Sequence, residues 1–190
     1  MITLNLKPLI VLNPEQFYRL CVANPDTKLE LDAQGDLIIM SPTGGESGIR
    51  NQKLTMRLGI WAELNATGVA FDSSTMFQLP NGALRSPDAA WILSSRWQLL
   101  PKTAREGFPR ICPDFVTELR SQSDNLTSLQ AKMQEYIDNG ISLGWLIDPY
   151  NKQVEIYRPS QAKQVLHNPS ELSGEAILPN FVLSLEGIIN

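Results

Sequence analysis

The sequence predicts an α/β domain built on one mixed β-sheet flanked by helices. Two long segments carry apolar residues at helical spacing, while many shorter ones have strand length. PDFVTELR at 113–120 is largely apolar on both alternating faces, as expected of a strand covered on both sides. The order helix, hairpin, helix, several strands, helix, two strands suits a sheet with helices packed on its faces. With 190 residues the chain is long enough for one well-cored domain and short for two. We expect a single domain over 1–190, with an N-terminal helix and hairpin at 13–41, a core at 46–158 and a C-terminal extension at 159–190.

Asn13 followed by Pro14 reads as an N-cap with proline at the first helical position, and the stripe Phe17, Leu20, Cys21 carries that helix to about Ala23. KLELD at 28–32 and LIIMS at 37–41 flank AQGD and predict a hairpin. A longer helix is expected from Glu46 or Ser47, with Leu54, Leu58, Trp61 and Leu64 as its apolar stripe. Arg50, Lys53 and Arg57 recur on another face, which reads more readily as a solvated helix face than as a phosphate track. Strands are expected at 68–72, 75–79 and 87–93, then a short helix in SSRWQLLP and the strand at 113–120. Ser123 and Asp124 precede Leu126, Leu129, Met133, Tyr136 and Ile137, a helix that stops at Asn139-Gly140. Strands at 142–148 and 152–158 flank the turn PYNK. A short strand near 163–166 and the apolar segment ILPNFVLSLEGII finish the chain.

Bulk properties narrow the function classes. No apolar run reaches the ~18 residues that cross a bilayer. The start, MITLNLKPLIVLNPEQF, has a short apolar stretch, a misplaced basic residue and no small-residue cleavage site, so we expect a cytoplasmic protein. Two cysteines, far apart, and one histidine nearly exclude a Cys/His zinc site. Net charge is −4, mildly unfavourable for a nucleic-acid partner. The stretch from Arg85 to Lys132 is +2, however, with seven basic and five acidic residues.

Two apolar strands each carry a carboxylate that a core strand does not need. Asp88 heads SPDAAWIL and Glu118 lies near the end of FVTEL. An ionised carboxylate in an apolar sheet is costly unless paired or metal-bound. Taken singly, Asp88 reads as a turn residue after Pro87, and Glu118 as the partner of an arginine. Taken together they read as ligands of one divalent cation. Lys132, on the helix that follows, either projects its ammonium towards them or covers apolar surface with its stem.

The segments SPDAAWI, PDFVTELRSQSD, LQAKMQEYIDNGISLGWLIDP and QVEIYRP, with LELDAQGDLIIMSPTGGES before them, resemble a family of small bacterial proteins described as "putative restriction endonucleases". The resemblance runs from about residue 28 to the end. It implies the PD-(D/E)xK nuclease superfamily and a restriction-endonuclease-like α/β core. Asp88 then matches the aspartate of the PD half and Glu118 the acidic residue of the second half. The superfamily lysine would stand two residues later, where this chain has Arg120. The family resembled here supplies it from the following helix, at the place of Lys132. Glu30 matches a glutamate of the first strand that adds to the metal site, Glu46 is a weaker match, and Ser47-Gly48 stands where a histidine is common. The implied activity is Mg²⁺- or Mn²⁺-dependent hydrolysis of DNA by a homodimer, with Asp88, Glu118 and Lys132 as the catalytic set.

Two other readings compete. A nuclease fold that binds or regulates without turnover is favoured by the acidic net charge and by Arg120. A glycosidase-type pair of Asp88 and Glu118 would want exposed aromatics, whereas Trp61, Trp91, Trp97 and Trp145 mostly fall on apolar faces. Asp148, in WLIDP, is either a further site carboxylate or a turn residue before Pro149.

Overall fold

A computed structural model describes residues 2–189; Met1 and Asn190, the ends of the expected domain, lie outside the described residues. In chain order the first half comprises β1 (Ile2–Leu4), α1 (Pro14–Ala23), β2 (Lys28–Leu31), β3 (Leu37–Met40), α2 (Gly45–Asn65), β4 (Gly68–Asp72), β5 (Phe77–Gln78), β6 (Leu84–Arg85) and β7 (Ala89–Leu93). The second comprises α3 (Ser94–Gln98), α4 (Lys102–Glu106), β8 (Phe115–Leu119), α5 (Leu126–Asp138), β9 (Leu143–Asp148), β10 (Gln153–Tyr157), β11 (Gln164–His167), β12 (Glu171–Ser173) and β13 (Val182–Ser184).

The architecture is the expected mixed sheet flanked by helices. Its six strands run in the order β11-β10-β9-β8-β7-β4. β8 and β9 are parallel, joined through α5, and the other pairs are antiparallel. Both faces of the central strands are covered. Trp91, Phe115, Trp145 and Ile147 face α2 and the C-terminal segment. Ala90, Ile92, Val116 and Leu146 face α5 through Leu129, Met133 and Tyr136.

The hairpin does not join this sheet. It belongs to a second, antiparallel sheet of order β1-β3-β2-β6-β5, and β12 with β13 forms a third. Leu29, Leu31 and Leu37 bury with Phe17, Met76 and Leu84 in a core of their own. One sheet was therefore too few. The partners β5 and β6 are two residues long, too short to show a period.

Capping chemistry sets the helix starts. Asn13 and Gln16 form a reciprocal capping box on α1, and Asn125, rather than Ser123 or Asp124, caps α5 by accepting from Ser128 N at 3.1 Å. On α2, Leu54, Leu58 and Trp61 are buried as expected, but Leu64 is 81% exposed. At about 100° per residue, Leu64 and Ala62 fall on opposite sides of that stripe, each roughly a quarter-turn or a little less from its centre, and the core covers the Ala62 side. The basic face of α2 is half-buried and not freely solvated. Arg57 donates to the carbonyls of Ser184 and Glu186, Lys53 Nζ lies against Gly187, and Arg50 sits 5.9 Å from the Tyr150 ring centre. The Arg57 and Lys53 contacts hold the C-terminal segment, which delivers Leu178, Phe181, Leu183, Leu185 and Ile188 to the main core.

Gly68 opens β4 where a Cβ would lie 2.2 Å from the Trp91 ring and 2.4 Å from the Ile92 carbonyl. Neither neighbour can yield, because one is a buried indole and the other backbone. Gly68→Ala is expected to lower stability by about 1–3 kcal/mol, measured by urea denaturation. A change below about 0.5 kcal/mol would show that the β4–β7 pair relaxes freely.

Candidate active site

The second sheet and the main sheet meet at a cleft of about 900 Å³. Strand alternation in β2 sends Leu29 and Leu31 into the small core and Glu30 to the opposite face, into the cleft. Asp88 precedes β7, and its Oδ2 accepts from Leu119 N at 2.8 Å, which ties the start of β7 to the end of β8. Glu118 shares the α5 side of β8 with Val116 and is 4% exposed. On α5, Lys132, Glu135 and Tyr136 follow at i, i+3 and i+4 and so rise from one side of the helix. The structure thus brings together Glu30, Asp88, Glu118 and Lys132 as lining of one cleft.

Lys132 is the centre of the arrangement. Its Nζ lies 2.9 Å from Glu30 Oε1 and 2.8 Å from Glu118 Oε1. The Tyr136 hydroxyl donates to the same Glu118 Oε1 at 3.1 Å. Glu30 Oε1 also accepts from Ser86 N at 2.9 Å, and Glu30 Oε2 faces Arg85 Nη1 at 3.2 Å. Arg85 is held in turn by Glu135. Two oxygens differ from these. Among the described residues Glu118 Oε2 and Asp88 Oδ1 receive no protein donor, and neither is sealed from the cleft.

The other candidates lie elsewhere. Arg120 does not line the cleft: its Nη1 binds Asp148 Oδ2 at 2.8 Å and its Nε donates to the Asp124 carbonyl. Asp148 is a turn residue that also accepts from the backbone of Tyr150 and Asn151. Glu46 is exposed in the first turn of α2 and outside the cleft. Among the described residues no aromatic side chain lines the cleft, so the ring surface that a sugar would stack on is missing from it. Arg85, Ser86, Glu135 and Tyr136 were not anticipated. Tyr136 reads in sequence as one more apolar position of α5, and only its place four residues after Lys132 marks its hydroxyl.

Charge shapes the site. Among the described residues eight carboxyl groups line the cleft against three cationic side chains, a formal excess of five acidic groups. Among the described residues no three His, Cys, Asp or Glu side chains are grouped to hold a metal, and the Lys132 ammonium stands between Glu30 and Glu118. Burial pushes Glu118 up to about 7, reinforced by the Asp88 and Glu30 charges and opposed by Lys132. Burial raises Asp88 as well. Burial also works against ionised Glu30, but Lys132 and Arg85 outweigh it and hold that carboxyl below its usual range. Lys132 is likewise disfavoured by burial, yet Glu118 and Glu30 keep it above the ordinary lysine value.

A carboxyl whose folded value exceeds its unfolded one stabilises the fold at low pH and loses that contribution as pH rises through the folded value. For Glu118 without bound cation the loss falls between about 4.5 and about 7. Glu118→Gln, neutral throughout, is expected to remove a pH-dependent difference on the order of 2–3 kcal/mol. Chemical denaturation at pH 5 and pH 8 checks this, and equal slopes for both proteins would contradict it.

Comparison with known proteins bears on the family and the fold. A family model described as "Putative restriction endonuclease" (Uma2) matches residues 14–186. Among solved structures, the chain is similar to one titled a putative nuclease from Anabaena variabilis ATCC 29413. The TM-score is 0.74 at 20% identity, covering 86% of this chain and 90% of that one. This likeness establishes the fold. No curated protein matches the chain.

Proposed function

We propose that this chain, which belongs to the Uma2 family of "putative restriction endonuclease" proteins, hydrolyses DNA phosphodiester bonds with Mg²⁺ or Mn²⁺ held by Asp88 and Glu118. Family membership supports a nuclease-type function. The observation that carries the finer reading is the pair of donor-free oxygens, Asp88 Oδ1 and Glu118 Oε2, in one acidic cleft beside Lys132.

The residues fit such a cation. Both donors are hard carboxylate oxygens, and one or two carboxylates completed by water and substrate phosphate is the usual way Mg²⁺ is held. An excess of negative charge repels a phosphodiester until a cation offsets it. A divalent ion bound there supplies Lewis acidity and a more acidic water. Lys132 remains protonated near neutral pH, so it is not the base. Its ammonium instead donates to a water or phosphate oxygen and offsets the charge that builds up in the transition state. Hydrolysis forms a P–O bond from water and breaks the P–O bond to the departing sugar oxygen, which leaves with a proton. Tyr136 keeps Glu118 Oε1 engaged and so leaves Oε2 for the ion.

Nicking of supercoiled plasmid and calorimetric Mn²⁺ titration test the proposal together. Lys132→Met is expected to lower cleavage by ~10²–10³-fold while Mn²⁺ binding is kept or tightened. Asp88→Asn is expected to weaken Mn²⁺ binding by at least about tenfold. Undiminished cleavage by Lys132→Met removes the role given to Lys132. Absence of Mn²⁺ binding in the wild type leaves a nuclease fold that binds or regulates without turnover. The homodimer implied by the resemblance belongs to the same proposal, and a monomer by light scattering at working concentration would remove it.

A further inference from the structure

Glu30 sits within reach of the metal carboxylates, yet its surroundings differ from theirs in kind. Both of its oxygens are engaged: Oε1 by Ser86 N and Lys132 Nζ, each at 2.9 Å, and Oε2 by Arg85 Nη1 at 3.2 Å. The residue is 1% exposed. For a cation to bind Glu30, a buried ammonium, guanidinium or amide would have to give up its acceptor, and either of the two cations would then be left as an uncompensated buried charge. Asp88 and Glu118 each keep one oxygen without a protein donor, and neither needs such a displacement.

The partners of Glu30 form a closed ring. Lys132 reaches Glu30, Glu30 reaches Arg85, and Arg85 Nε binds Glu135 Oε2 at 2.5 Å. Glu135 is on α5, three residues after Lys132, so the ring returns to the helix it left. A lysine side chain has four rotatable bonds and a compact charge with no orientation of its own. Here two carboxylates from different sheets fix that charge, and the Arg85–Glu135 pair fixes one of them. We infer that Glu30 is a positioning residue that acts on the reaction through Lys132 and is not a metal ligand. The inference rests on the metal-dependent nuclease reading and revises the part that Glu30 was expected to play in it.

Glu30→Gln separates the two roles, because the amide keeps the shape and an acceptor but removes the charge that holds the ammonium. If Glu30 positions Lys132, the variant binds Mn²⁺ within about threefold of the wild type while plasmid cleavage falls by ~10–100-fold. In a Lys132→Met background the same change should then cost less than about twofold in residual cleavage, since the group it acts through is gone. If Glu30→Gln alone does not fold, the double variant, which loses both charges of the pair, is compared with Lys132→Met for Mn²⁺ affinity. Equal affinities are expected. A loss of about tenfold or more in Mn²⁺ affinity in either comparison overturns the inference and leaves the nuclease reading standing. A fully additive cleavage loss in the Lys132→Met background overturns it too. A wild-type protein that binds no Mn²⁺ sinks the metal reading, and this inference with it.

Discussion

One ammonium group joins the two larger sheets of this protein at its candidate cleft. Lys132 Nζ touches Glu30, from the small antiparallel sheet, and Glu118, from the six-stranded one. A buried ion pair is a poor way to gain stability, because an apolar replacement of similar volume often does as well or better. Removing one partner is another matter, since a buried charge is then left without compensation. The triad therefore constrains its surroundings more than it strengthens them. α5 must present Lys132 at one height and one rotation, and the buried residues Leu129, Met133 and Tyr136 fix both against the sheet. Gly144 lets the helix close in, because a Cβ there would stand 2.5 Å from Met133 Cε.

The same arrangement divides the carboxylates by environment. Glu30 has a cation or an amide on every side and stays ionised, whereas Glu118 shares one ammonium with it and is left close to neutrality. Neighbouring acids pushed in opposite directions are a mark of sites where protonation states matter. Here the asymmetry is one of geometry before it is one of charge. The saturated carboxylate faces protein donors, and the unsaturated one faces the cleft.

Features governed by neighbours in the chain were legible in the sequence. Asn13 and Pro14 announce α1, AQGD between two strand-length segments announces the β2–β3 hairpin, and Asn139-Gly140 ends α5, with Gly140 at φ +101°. What depends on distant partners was not legible. β1, β6 and α4 have two to five residues and carry no period of their own, whereas β5, expected over 75–79, forms at Phe77–Gln78. The split into two sheets is decided by which core Leu29 and Leu31 enter, and that core is completed by Met76 and Leu84. The site shows the same boundary. Asp88 and Glu118 stand out as carboxylates among apolar neighbours, while the pairing of Glu30 with Lys132 spans 102 positions. Arg85 and Ser86 lie in or beside a strand too short to be noticed, and Tyr136 looks like any core ring. Arg120 stands where the resemblance expects a lysine, but its guanidinium serves the turn after β9, and the ammonium found in the cleft is that of Lys132 on α5.

Delivery from a helix has an effect on how such sequences can diverge. The distance along the chain between Glu118 and Lys132 is taken up partly by the surface loop between Arg120 and Asn125, and loops of that kind absorb insertions and deletions readily. The spacing of Lys132, Glu135 and Tyr136 has no such freedom, since one added residue within the helix swings the later members about 100° around its axis. A pattern written for relatives of this chain should be elastic before α5 and rigid within it, the reverse of one that looks for acid and lysine two residues apart on a single strand.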